Sequence, residues 1–309
     1  MSNYYPLVSV VTPSFNKGPY IEETILSIKS QGYPEIEYII IDGISTDDTT
    51  YILKRYSDGI RTISEPDNGQ TDAINKGLRM AQGDILAYLN ADDLYLPDTV
   101  ERVVQYFGEH PDVDLVYGDI IHIDENGGNE YPIRAGPLDI DAYLGCMYYL
   151  PQPTVFFRRK VYETLGDFDA SLHLAMDLDY WLRASFRFTW GYIPEPLAKA
   201  RIYGEAKSVA LNYRYLEERL VVIEKISQYL TPDQKSRAVA RIHYYGGLEY
   251  LRIGKITEAF RHMATAIWRD PKVVITSGLY FAFFNSFFGR RAGDAIKKGI
   301  DWMLRPEMR

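Results

Sequence analysis

Short β-branched runs and helical apolar repeats alternate along the first 125 residues of the chain. Leu7–Val11, Tyr38–Ile41, Arg61–Ser64 and Ile85–Leu89 read as strands. Between them, Tyr20–Lys29 carries Ile21, Ile25 and Ile28 at helical spacing, and Thr49–Tyr56 and Thr71–Ala81 also read as helices. Pro97 is expected to open a further helix, because a first helical position does not need the N–H that proline lacks. Val113–Tyr117 and Ile120–Ile123 read as two strands, with a turn over Glu125-Asn126-Gly127-Gly128 after the second. Thr154–Phe157 and Phe188–Ile193 are further strands, the latter stopping before Pro194, and Ala175–Phe186 is a helix. Past about residue 205 strand patterns end, and Tyr213–Tyr229, Ser236–Arg252 and Thr257–Arg269 are all helical.

Strand–helix alternation of this kind defines an α/β fold with a mostly parallel sheet covered on both faces. The helical remainder sets a domain boundary near residue 210, giving an α/β domain over 1–210 and an all-helical region over 211–309. Ligands of such sheets bind outside the carboxyl ends of the strands. The polar clusters Thr12–Asn16, Asp42–Thr46, Glu65–Gln70 and Asn90–Asp93 all fall at those ends, which predicts one shared site.

Composition narrows the function classes. A chain of 309 residues with 46% hydrophobic positions can bury a large core plus a smaller second unit. A net charge of −8 argues against general nucleic-acid binding. One cysteine, Cys146, rules out a disulfide framework and fits a reducing, cytoplasmic setting. The opening residues have no basic segment ahead of an apolar run and read as a tail and first strand, not a signal peptide. The 26 tyrosines suit core packing first and carbohydrate stacking second.

The chemistry lies in the carboxylates. Asp92 and Asp93 directly follow a buried strand, where adjacent negative charges need a positive partner. A hard divalent cation such as Mg²⁺ or Mn²⁺ is bound in this way, by one or two carboxylates plus diphosphate oxygens. The alternative is a solvated turn. Asp42 can accept a hydrogen bond from a base or ribose, or cap the next helix in competition with Ser45, Thr46 and Asp47. On the helix over 175–186, Asp179 is spaced to pair with Arg183, whereas Asp177 is followed four residues on by Trp181. Asp177 is therefore the candidate general base for an acceptor hydroxyl. No phosphate-binding Gly-x-x-x-x-Gly-Lys, dinucleotide-binding Gly-x-Gly-x-x-Gly, His-Glu-x-x-His or Gly-x-Ser-x-Gly motif occurs.

Taken in order, these segments resemble the GT-A type family 2 glycosyltransferases. The resemblance runs through Val8–Asn16, Ile40–Asp47, Asp67–Gly77, Gly83–Asp93, Pro151–Arg159 and Leu165–Asp169, and covers roughly residues 6–205. It implies an inverting enzyme that moves a sugar from a nucleotide-diphosphate donor, most often a UDP-sugar, to a carbohydrate or lipid-linked acceptor in polysaccharide, glycan or glycolipid synthesis. By the same resemblance, Thr12, Pro13 and Asn16 line the nucleotide pocket, Asp42 meets the base and Asp72 lies near the ribose or diphosphate. Asp92 and Asp93 match the Asp-x-Asp region that holds ribose and metal, and Asp177 matches the catalytic base. Three positions depart from the pattern: Asn90 replaces a carboxylate, Met176 replaces the glutamate before the base, and Tyr203 stands where relatives carry a histidine. Two alternatives accompany this reading. A degenerate domain acting as a scaffold takes its support from Asn90 and Tyr203. A sugar-phosphate nucleotidyltransferase would need a glycine-rich basic loop where Pro13–Gly18 stands.

In the helical third, Gly247, Tyr250, Ala259, Ala266 and Pro271 fall at tetratricopeptide spacing, which predicts one helical hairpin. The segment 273–289 is apolar and aromatic and is followed by Arg290 and Arg291. It reads either as a helix lying in a membrane interface, with the protein on the inner face of the cell membrane, or as a packed helix or contact between copies of the chain.

Overall fold

The computed structural model describes residues 5–146, 148–203 and 212–273. They divide into two compact units, one made of residues up to 143 together with 148–218, the other of 144–147 together with 219 onward.

The first unit begins with strand β1 (Val8–Ser14), helix α1 (Gly18–Lys29), β2 (Ile36–Asp42), α2 (Thr49–Arg55), β3 (Ile60–Ser64), α3 (Gln70–Met80) and β4 (Ile85–Tyr88). Strands β1 to β4 all run parallel, in the order β3-β2-β1-β4. Their near-continuous apolar sequences follow from burial on both faces. Val8, Val10, Ile40, Ile85 and Ala87 join Ile21, Ile25 and Ile28 of α1 in one core.

The chain lays down β2 and β3 on one side of β1 and then crosses to the other side for β4. That reversal is the switch point at which open α/β sheets leave a crevice. Proline sharpens it. Leu7 and Val11 turn their carbonyls to β4, accepting from Ile85 and Leu89. Pro13, two residues on and facing the same side, lies just past the last β1–β4 pair, Val11 with Tyr88. A residue with no N–H to donate therefore costs nothing there, and the strands part.

Beyond β4 come β5 (Leu94–Tyr95), α4 (Thr99–Glu109), β6 (Leu115–Ile123), β7 (Tyr131–Ile133), α5 (Ile140–Leu144), β8 (Phe156–Arg158), α6 (Arg159–Leu165), α7 (Met176–Ser185) and β9 (Trp190–Arg201). They extend the sheet as β4-β8-β6-β9-β5, with β7 paired to β6. The pairs β4–β8, β8–β6, β6–β7 and β9–β5 are antiparallel and β6–β9 is parallel.

Four expectations from the pattern are corrected. Helix α4 starts at Thr99 rather than at Pro97, because Asp98 takes a left-handed conformation (φ 60°) and turns the chain first. The two strands expected over 113–123 are one strand, β6. The break seen in sequence is an irregularity at Gly118 and Asp119, where a Cβ on Gly118 would come within 2.7 Å of the Glu195 carbonyl. Strand β9 runs through Pro194 and on to Arg201, because the prolines sit where the register against β6 shifts. The strand expected from Thr154 begins at Phe156, after a 3₁₀ turn over Gln152–Thr154.

Helix α8 (Asn212–Lys225) follows, then α9 (Pro232–Arg252) and α10 (Ile256–Arg269). Thr231 caps α9 in a reciprocal box with Gln234. In the second unit, α9 and α10 form a hairpin turned at Gly254 (φ 78°). Gly247 lets α10 approach closely, since a Cβ there would lie 2.8 Å from Met263. Among the described residues no helix is long and apolar enough to cross a membrane. Apart from Val273, the segment 273–289 lies outside the described residues.

Candidate active site at the sheet switch point

Each strand-end loop is pinned by side chains from the next. The Asn16 side-chain oxygen accepts from the Thr46 N–H at 2.8 Å, and the Asn16 N–H donates to the Ser45 hydroxyl at 2.8 Å. Asp42 is fully buried, and its carboxylate accepts from the Ser45 N–H at 3.0 Å and the Ser64 hydroxyl at 2.8 Å. Three consecutive strand ends are thus tied together through Asp42. Thr12 is also fully buried, and its hydroxyl accepts from Tyr38 inside the sheet. Asp72, in the first turn of α3, accepts from the Asn68 N–H at 3.0 Å and lies 3.6 Å from the Lys76 ammonium. Two loop residues here adopt left-handed backbone, Asn16 (φ 50°) and Ile44 (φ 58°). For a β-branched residue such as Ile44 that conformation is strained, and strain of this kind gathers at binding loops.

Across the crevice, the turn after β4 carries Asn90, Asp92 and Asp93. The Asp93 carboxylate accepts from the Asn90 amide at 3.1 Å and from the Arg201 N–H at 3.2 Å. Asn90 is itself fixed by Gln70 at 2.7 Å. A carboxylate at position 90 would face Asp93 with like charge, so the amide that departs from the family pattern serves as a donor instead. Arg201 holds the whole turn. Its guanidinium donates to the Glu125 carbonyl at 2.7 Å, pairs with Glu23 at 2.9 Å and lies over the Tyr20 ring.

Burial, reinforced by the adjacent Asp92 charge, holds the Asp93 carboxyl up at about 8 instead of its ordinary 3.8. In the unfolded chain the group ionises near 3.8, while the folded protein retains the proton to about 8. The cost of ionising Asp93 is absent below about pH 4 and fully present above about pH 8, so the metal-free protein is expected to lose stability as pH rises between them. Melting curves across that window, with chelator present, check this.

Asp92 faces a different partner. Its carboxylate lies 2.6 Å from the Lys17 ammonium and 2.7 Å from the Tyr203 hydroxyl. Sequence reading missed Lys17. Its one visible signal was its place in the first strand-end loop, next to Asn16.

Asp177 is placed by contacts reaching back to α3. Asn75 of α3 clamps Phe168 through both its N–H and its carbonyl, and the Thr71 hydroxyl meets the Met176 sulfur at 2.8 Å. Met176 is buried in that contact. The Glu218 carboxylate accepts the N–H groups of His173, Leu174 and Ala175 immediately before α7. Asp179 is fully buried and pairs with Arg183 at 2.9 Å, as its spacing predicts. Asp177 is half-buried at the start of the helix and accepts the Leu178 N–H. Burial raises the Tyr88 phenol, and the neighbouring Asp177 carboxylate pushes it higher.

The family model described as "Glycosyl transferase family 2" matches residues 9–175. A PGL/p-HBAD biosynthesis glycosyltransferase of Mycobacterium bovis is 34% identical over 184 residues, which cover 58% of this chain and 69% of that protein. An uncharacterized glycosyltransferase of Rickettsia bellii is 28% identical over 91% of this chain, which spans 42% of that protein's length. Among solved structures, residues 1–349 of S. aureus TarS superpose with a TM-score of 0.62 at 17% identity, covering 95% of this chain and 92% of that one. A form of the same protein in complex with UDP-GlcNAc gives a TM-score of 0.58 at 16% identity over 84% of this chain and 91% of that one. The mannosyltransferase PcManGT of Pyrobaculum calidifontis, in complex with GDP-Man and Mn²⁺, gives 0.61 at 19% identity, covering 98% and 89%. The chain belongs to glycosyl transferase family 2, has the GT-A fold and is a glycosyltransferase.

Proposed function

We propose that this protein transfers one sugar, with inversion, from a nucleotide-diphosphate donor to an acceptor hydroxyl, and that the donor is a UDP-sugar. The observation that carries the reading is the crevice where β1 and β4 part, whose β1 loop is tied to Asp42 through Ser45 on one side and to Asp92 through Lys17 on the other. Relatives in complex with UDP-GlcNAc and with GDP-Man and Mn²⁺ support a nucleotide-sugar donor. In this reading Thr12, Pro13 and Asn16 shape the nucleotide side, Asp42 orders the loops around the base, and Asp72 lies toward the ribose and diphosphate. The acceptor is a carbohydrate or a lipid-linked hydroxyl, and the product belongs to polysaccharide, glycan or glycolipid assembly.

The donor set suits a hard divalent cation such as Mg²⁺ or Mn²⁺. Asp92 and Asp93 are adjacent and offer only oxygen, the donor type hard divalent cations take. Among the described residues no cluster of three or more His, Cys, Asp or Glu side chains forms. The remaining ligands would come from diphosphate and water. When bound, such a cation supplies Lewis-acid neutralisation of the leaving diphosphate. The Asp177 carboxylate takes the acceptor's proton as the acceptor oxygen bonds to the anomeric carbon. The bond to the diphosphate oxygen breaks, and the nucleoside diphosphate departs with its electron pair. No enzyme nucleophile is required.

A thermal-shift screen with UDP, GDP, TDP and CDP, each with and without Mn²⁺, tests the reading. A nucleotide at about 100 times its Kd stabilises the native state by about 2.7 kcal/mol. The expected result is a shift with UDP that needs the metal. No shift with any nucleotide contradicts it.

A further inference from the structure

Lys17 points into this site, yet the transfer step described above gives it no work. Its ammonium is 2.6 Å from Oδ2 of Asp92 and 2.6 Å from the Tyr203 hydroxyl, which in turn is 2.7 Å from the same Oδ2. The proton directions are fixed by chemistry. An ammonium can only donate and a carboxylate can only accept, so Tyr203 accepts from Lys17 and donates to Asp92.

The triangle is also held from outside. The Lys17 N–H donates to the Thr49 hydroxyl at 2.8 Å, and the next N–H, of Gly18, donates to Asp47 at 2.9 Å. The Tyr203 ring packs on Tyr20, whose ring lies beneath the Arg201 guanidinium. Lys17 and Asp92 are both mostly shielded, with side chains 28% and 16% exposed.

We propose that the Lys17 ammonium, aimed by Tyr203, is a resident counter-cation of Asp92 that a divalent metal must displace, so that metal and donor diphosphate bind together. This rests on the reading of Asp92 as a metal carboxylate. A carboxylate oxygen already receiving two donors cannot also take a cation at the roughly 2.1 Å that Mg²⁺ demands while an ammonium stays beside it. Two like charges at such a distance repel strongly in a shielded site. A diphosphate gives the displaced ammonium a new anion, and the long lysine stem can follow it. Metal and diphosphate must then strengthen each other's binding by one common factor. Tyr203 thereby acquires a role, as the positioning residue for Lys17.

Free Mn²⁺ measured by electron paramagnetic resonance tests this on the full chain. The expected result is that Lys17→Met binds Mn²⁺ alone about tenfold or more tightly than wild type, Tyr203→Phe several-fold more tightly, and the charge-retaining Lys17→Arg no more tightly. UDP should then strengthen Mn²⁺ binding more in wild type than in Lys17→Met. Melting curves of each variant confirm that it is folded. If Lys17→Met and Tyr203→Phe both bind Mn²⁺ within twofold of wild type while Asp92→Asn abolishes binding, the counter-cation role is overturned and the metal reading stands. If no variant binds Mn²⁺ with or without UDP or GDP, both fail together.

Discussion

Asp177→Asn is expected to lower kcat by roughly 10²–10⁴-fold, the range typical of a lost general base, while nucleotide affinity stays within about twofold of wild type. The variant isolates the chemistry because asparagine keeps the shape and still accepts the Leu178 N–H that the carboxylate now receives. The clamps that set the start of α7, from Asn75, Thr71 and Glu218, do not involve position 177. Asp179→Asn is the matching control, two residues along. It breaks a buried pair with Arg183, so it is expected to cost stability rather than the chemical step. Steady-state kinetics with melting curves on both variants separate the two roles. A kcat within tenfold of wild type for Asp177→Asn would remove the base assignment.

Asp93→Asn is expected to reduce kcat/KM by roughly 10²–10³-fold, the scale of losing one preorganised electrostatic contribution, and to abolish the Mn²⁺-dependent nucleotide shift. The same change should flatten the fall in metal-free stability between about pH 4 and about pH 8, because it removes the group whose ionisation burial opposes. Loss of activity with a gain in stability at high pH would mark a residue kept for function at a structural cost. Melting curves at pH 5 and pH 8 beside the kinetics check both halves. A variant that loses stability at pH 8 would show Asp93 to be a structural carboxylate.

Much of this architecture is legible in the sequence because burial writes it there. Strands β1 to β4 lie between helices on both faces, so their residues are apolar almost without interruption. Their polar clusters then fall at the carboxyl ends as the topology requires. Legibility fails where a strand is irregular. Gly118 and Asp119 interrupt the pattern of β6 although the strand continues, and Pro194 signals an end that a register shift makes unnecessary. Helix α6 is short, seven residues closed by Gly166, and too brief to show a period.

The site divides the same way. Asp42, Asp92, Asp93 and Asp177 stand out because carboxylates at strand ends and helix starts are chemically conspicuous. Lys17 and Tyr203 do not, because their meaning comes from partners 75 and 111 positions away from Asp92 in the chain. Only the fold brings those three together. Two of the departures from the family pattern become intelligible on the same terms. Asn90 donates where a carboxylate would repel, and Tyr203 donates to Asp92 while accepting from Lys17.

In the proposed reaction this site cleaves the bond between a sugar and a nucleoside diphosphate. Its most direct test is chromatographic measurement of nucleoside diphosphate released from UDP-glucose, UDP-GlcNAc and GDP-mannose by the wild-type chain, with and without Mn²⁺, using water or an added sugar as acceptor. The expected result is release from a UDP-sugar that requires the metal and exceeds that of Asp93→Asn by roughly 10²–10³-fold. Wild-type protein that binds these nucleotides yet releases no diphosphate from any donor, at any metal concentration, would contradict it.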